Sequence, residues 1–187
     1  HNVSRMNIHA LIKPLVVGTE ITLPLLDTAD EHMGHVHGAA KLQVAIDGSA
    51  VTLMLESPMD SLVGFEHAPG NEAEKAALAR LVAALEKPDA LFVFSPAAGC
   101  ASSSTKLESP LIADESHDHK HEEKHEEKHS DLDGEFSFVC KEAGKLTQLT
   151  VNLFDVAANL QDLDVEIAAP RGQTAAELKP DKRTVTW

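Results

Sequence analysis

Leu42, Val44 and Ile46 alternate with polar or small residues, Asp47 and Gly48 interrupt, and Val51, Leu53 and Leu55 resume the alternation. A period of two puts each trio on one side of an extended strand, and Asp-Gly between two such runs predicts a β-hairpin. The period changes after Asn71. In NEAEKAALARLVAALEKP, Leu78, Leu81, Val82 and Leu85 share a helical face, Asn71 can cap the first turn with Glu74 three residues on, and Pro88 ends the run. ALFVF at 90–94 reads as a short buried strand. GEFSFVC and KLTQLTVNLF read as two more strands about the turn-like KEAGK, followed by three extended candidates in LDVEIAAP, GQTAAELKP and RTVTW. The expected fold is α+β: a mostly antiparallel sheet of about six to seven strands with one main helix packed on it.

From Cys100 to about Asp133 the apolar periodicity stops, and the chain is expected to leave the core. Within this stretch SHDHKHEEKHEEKH, residues 116–129, carries five of the chain's 11 histidines. On an extended chain His117, His119 and His121 share a side, and on a helix His121, His125 and His129 share a face. The period-four repeat also stacks Glu122 over Glu126 and Lys120 over Lys124. Each like-charge pair opposes helix formation by a few tenths of a kcal/mol. The loop is therefore expected to be disordered until metal orders it.

Composition narrows the function. Thirty acidic against 16 basic residues give a formal charge of -14, which disfavours nucleic acid and suits cations. No run approaches the roughly 20 apolar residues that cross a bilayer as a helix, so an integral membrane protein is not expected. Residues 1–30 have the outline of a secretory signal, with Lys13 before an apolar stretch from Pro14 to Leu26, although Glu20 and Asp27 interrupt it. The domain plan is thus a degenerate signal-like segment at 1–30 and one metal-binding domain at 31–187, with a histidine-rich insertion at about 108–130. Cys100 and Cys140 are the two cysteines. In an exported chain they would form a disulfide spanning the insertion, contributing roughly 3 to 4.5 kcal/mol through loop closure. Two free thiols or two further metal ligands are the alternatives.

Zinc takes imidazole, thiolate or carboxylate in tetrahedral sets of three or four. Besides His117, His119, His121, His125 and His129, the chain offers His35 and His37, which point the same way on an extended segment, and Glu66 with His67 in a loop leading to the helix. The histidine-rich loop offers imidazole and carboxylate and no methionine, which favours zinc over Cu(I), while Cu2+, Ni2+ and Co2+ remain compatible with the same donors.

In order along the chain, HVHGAAKLQVAIDG, SPMDSLVGFEHAP, Cys100, the histidine-rich insert, HSDLDGEFSFVC and LFDVAANLQDLDVEIAAPRGQTAAEL resemble the ZrgA-type zinc-uptake proteins of Gram-negative bacteria. The resemblance spans roughly residues 32 to 187. It implies a periplasmic protein that binds zinc and helps deliver it to a zinc-uptake transporter. Carried onto this chain, the matching positions are His35 and His37, Glu66 and His67, and His129 and Asp131, with the cysteines paired around the insert. On that basis His35, His37 and His67, with His129 or Asp131, are expected to make a tight site. His117, His119, His121 and His125 would gather metal.

Two other classes fit less well. A zinc hydrolase with Glu66 as general base lacks an H-E-x-x-H or any nucleophile motif, so no enzyme is expected. A buffer or storage protein would need only the loop and no delivery partner. A two-lobed solute-binding component would normally need a longer chain.

Overall fold

The computed structural model describes residues 37–112 and 130–187. The signal-like residues 1–30, His35, and the loop histidines His117, His119, His121, His125 and His129 lie outside the described residues, as does the expected disorder of the loop.

The first hairpin forms where the alternation places it. β1 (Ala39–Asp47) pairs antiparallel with β2 (Ala50–Pro58), setting Leu42 against Leu55, Val44 against Leu53 and Ile46 against Val51. Two short helices follow β2: α1 (Met59–Val63) directly, and α3 (Pro88–Leu91) after the long α2 (Glu72–Leu85). α2 starts as the sequence dictates, because Asn71 Oδ1 accepts the Glu74 N–H at 2.9 Å. Glu74 reaches back to the Gly70 N–H at 2.7 Å. Leu81 and Leu85 are buried on its inner face, with Leu78 and Val82 at the margin. Pro88 ends this helix and opens α3, where a missing N–H costs nothing.

The remaining strands are β3 (Phe92–Phe94), β4 (Cys100–Glu108), β5 (Asp131–Cys140), β6 (Gln148–Val151), β7 (Asp162–Ala169), β8 (Gly172–Leu178) and β9 (Thr184–Thr186). They build a six-stranded sheet in the order β4-β5-β2-β1-β7-β8 and a three-stranded one in the order β3-β6-β9. The large sheet thus has the strand number expected, mostly antiparallel and with one main helix, and the described residues add a second, three-stranded sheet. All pairs are antiparallel except β1 with β7, whose long intervening chain supplies the crossover that parallel pairing needs. The core lies between the sheets and α2. Phe92 and Phe94 of the small sheet meet Phe136 and Phe138 of the large one at 5.0 and 5.1 Å between ring centres.

One expectation is corrected. The chain does not leave the sheet at Cys100, for β4 runs on to Glu108 along β5, with a bulge between Ser102 and Ser104. β4 is an edge strand with one neighbour and a half-exposed surface, so its run of serines and threonines needs no apolar alternation to hold it. The insertion is therefore the connection of a hairpin, entered after Glu108 and left at Asp131. Leu111 and Ile112, at its entry, are partly buried against the core and line a shallow groove together with Pro69, Leu78 and Val82.

The Cys100–Cys140 disulfide is present. It joins paired residues at the opposite end of the hairpin from the insertion. Cys140 stands nine positions along β5 from Asp131, about 30 Å of strand. The bridge closes the hairpin's base, and strand pairing from Glu108 to Asp133 gathers the ends of the insertion.

Candidate metal centre

The strand directions bring separate sequence motifs to one end of the large sheet. The N-termini of β1, β5 and β7 lie there with the C-terminus of β2, and α1 caps that end. His37 precedes β1, Glu66 and His67 follow α1, and Asp131 opens β5 opposite Pro58. Residues distant in sequence meet because β1 pairs with β2 and β7 while β2 pairs with β5.

The backbone of α1 ties these segments together. The Gly38 N–H donates to Ser61 Oγ at 3.0 Å, and that hydroxyl donates to the Ala39 carbonyl at 3.1 Å. The Gly38 carbonyl accepts from the Gln161 and Asp162 N–H groups at 2.8 and 3.0 Å. The Met59 N–H donates to the Ser130 carbonyl at 2.8 Å, holding the start of β5 against α1. Asn159 completes the junction by donating its N–H to Ser61 O at 3.1 Å and its Nδ2 to Asp60 O at 3.2 Å.

Both motif glycines have a geometric cause. Gly38 has φ +84°, and a Cβ there would sit 3.2 Å from the Asn159 carbonyl oxygen. Gly64, the C-cap of α1 at φ +88°, would place a Cβ 3.6 Å from Asn159 Nδ2. Side chains rarely adopt this left-handed region, so H-x-H-G and G-F-E-H each need glycine where the chain turns against Asn159.

Of the predicted ligands, His37 is exposed, and its Nδ1 lies 2.9 Å from Asp60 Oδ2. His67 is exposed, stacked on Phe65 at 5.3 Å, with Nδ1 3.0 Å from the Ala68 carbonyl. Glu66 and Asp131 are half-buried, each with one carboxylate oxygen shielded from solvent. Among the described residues no three His, Cys, Asp or Glu side chains gather into a metal-binding group. The described members of the expected set, His37, Glu66, His67 and Asp131, therefore supply donors at one sheet end without closing a coordination sphere. Cys100 and Cys140 are consumed by their disulfide and are not ligands.

Asp60 escaped the sequence reading. It stands 23 residues from the histidine it touches, a separation that no local spacing rule covers, and only the β1–β2 register brings the two together.

The outer face of the large sheet is acidic toward this end. One row across all six strands reads Glu108, Asp133, Glu56, Lys41, Asp164, Glu177 in register. Like charges directly opposite each other oppose pairing, and their summed field draws cations. Lys179 is engaged nearby by Asp162 at 2.8 Å and Glu177 at 2.7 Å, which raise its pKa well above the ordinary lysine value. Imidazoles and carboxylates at an anionic surface suit a divalent cation of zinc's borderline character. Among the described residues no helix is long and apolar enough to cross a membrane.

A family model described as ZrgA family zinc uptake protein matches residues 34–187. No curated protein matches the chain.

Proposed function

The chain belongs to the ZrgA family of zinc uptake proteins, and from that membership we propose that it is a periplasmic zinc-binding protein that captures zinc and passes it to a zinc-uptake transporter. Capture begins at the acidic sheet face and at His117, His119, His121 and His125, which hold zinc weakly in several arrangements. The tighter site is drawn from His35, His37, Glu66 and His67, with His129 or Asp131. Its role is binding and transfer, and no catalytic step is assigned to any residue.

The observation that carries this reading is the junction at α1, where the segments bearing H-x-H-G, G-F-E-H and H-S-D meet. His35 stands two positions before His37 in the chain, and His129 directly precedes Ser130, whose carbonyl is bonded to Met59. A disulfide across β4 and β5 supports an oxidising compartment outside the cytoplasm.

Single His37→Ala and His67→Ala variants test the tighter site by zinc titration against a chromophoric chelator. Each is expected to weaken the tightest binding step at least tenfold while circular dichroism stays unchanged. A tight step indifferent to both substitutions would remove the folded domain from the zinc site.

A further inference from the structure

We infer that Asp60 is the positioning residue for His37, fixing the imidazole proton on Nδ1 so that Nε2 is the atom offered to metal. This rests on the proposed place of His37 in the zinc site. The contact is His37 Nδ1 to Asp60 Oδ2 at 2.9 Å. An ionised carboxylate only accepts hydrogen bonds, and a neutral imidazole carries one N–H, so this pairing puts the proton on Nδ1 and the lone pair on Nε2. Metal-binding histidines are commonly held in this way, and the carboxylate also makes the distal nitrogen a stronger donor.

The two partners are not equivalent. The Asp60 side chain is 23% exposed and the His37 ring 69%, so the acid is the anchored member and the ring the presented one. Asp60 is held through its backbone as well: its carbonyl accepts the Gly64 N–H at 2.9 Å and Asn159 Nδ2 at 3.2 Å. The segment bearing His37 is fixed one residue on, where the Gly38 N–H meets Ser61 Oγ at 3.0 Å. α1 thus grips H-x-H-G at two adjacent points, the glycine by Ser61 and the imidazole by Asp60. An ordinary exposed ion pair contributes little to stability, and its charge is available only when the histidine is protonated. The orienting role differs because it operates with the neutral imidazole, the form that binds metal.

The test reads the tautomer directly. Long-range nitrogen–proton correlation NMR on the metal-free, nitrogen-15-labelled full chain at pH 8.5 distinguishes protonated Nδ1 from protonated Nε2, and His37→Ala assigns the signal by its disappearance. The wild-type His37 is expected as the Nδ1–H tautomer. Asp60→Ala should move it toward Nε2–H, the form that free imidazole side chains favour in water, and Asp60→Asn, whose amide oxygen still accepts, should largely restore Nδ1–H. Zinc competition on the same proteins should show Asp60→Ala weakening the tight step by roughly 10- to 100-fold, with Asp60→Asn between it and wild type. A wild-type His37 protonated on Nε2 overturns the inference even if His37→Ala abolishes tight binding. An Nδ1–H tautomer together with zinc affinity unchanged by His37→Ala overturns the reading of His37 as a ligand, and with it Asp60's service to metal.

Discussion

Removing the Cys100–Cys140 bridge should destabilise the protein without touching the tight zinc site. The two cysteines are 40 residues apart. Cross-linking removes denatured-chain entropy that grows with the logarithm of the loop length, which for about 40 residues amounts to about 3.9 kcal/mol at 25 °C. Deleting residues 113–129 shortens the closed loop to about 23 residues, for which the same relation gives about 3.4 kcal/mol. The long insertion thus adds only about 0.5 kcal/mol to the bridge's effect. The assay is urea unfolding of four proteins: the intact chain, Cys100→Ala/Cys140→Ala, the 113–129 deletion, and all changes combined. The bridge's contribution should be close to 4 kcal/mol in the intact chain and should fall by less than 1 kcal/mol in the shortened one. Because the bridge lies about 30 Å of strand from Asp131, zinc affinity of the folded double variant should match that of the intact chain. A contribution below 1 kcal/mol, or one that changes by more than 2 kcal/mol with the deletion, would refute the loop-closure reasoning. A weakened tight zinc step in the double variant would refute the separation of bridge and site.

Three further perturbations bear on the fold. Asn71→Ala removes the side-chain acceptor for the Glu74 N–H and should lower stability by about 1 kcal/mol in urea melts, with Asn71→Asp nearly neutral. Gly134 lies beneath Phe136, and a Cβ there would come within 2.9 Å of the ring of that fully buried residue. Gly134→Val should therefore cost about 1 to 3 kcal/mol by overpacking, read as a lower thermal midpoint. Hydrogen bonds from Ser102 lower the Asp89 pKa, the side-chain one foremost, and thereby tie α3 to β4. A depressed folded-state pKa gives stability that is present above the ordinary carboxylate range and is lost as pH falls through the folded value. Asp89→Asn should therefore lower stability at pH 7 and flatten the decline below about pH 4; an identical pH profile would show that the contact is not energetically coupled to folding.

What was legible in the sequence was local. The period-two runs through Leu42 and Leu53, the Asn71 cap and the Pro88 stop each express a rule acting within a few residues, and each is found where the sequence places it. The strand β4 was hidden because an edge strand with one neighbour can be built from Ser102, Ser103, Ser104 and Thr105 with no apolar stripe. The strands of the small sheet were legible one by one, since Phe92–Phe94, Gln148–Val151 and Thr184–Thr186 fall within ALFVF, KLTQLTVNLF and RTVTW, but no local rule sets them apart from the large sheet. At the candidate site, side-chain chemistry pointed to His37, Glu66, His67 and Asp131, but nothing local joins His37 to Asp60 or Gly38 to Asn159. Those contacts follow from β1 pairing in parallel with β7 and antiparallel with β2.

The central claim is that the folded domain holds zinc in its own right, beyond what the histidine-rich segment collects. Native mass spectrometry and chelator competition on the intact chain and on a variant lacking residues 116–128 test it most directly. The account predicts that the variant loses the weaker ions and keeps one tightly bound zinc, which His37→Ala then removes. Loss of every ion with the deletion would contradict it, leaving the segment as the whole binding site and metal buffering as the better description of what the protein does.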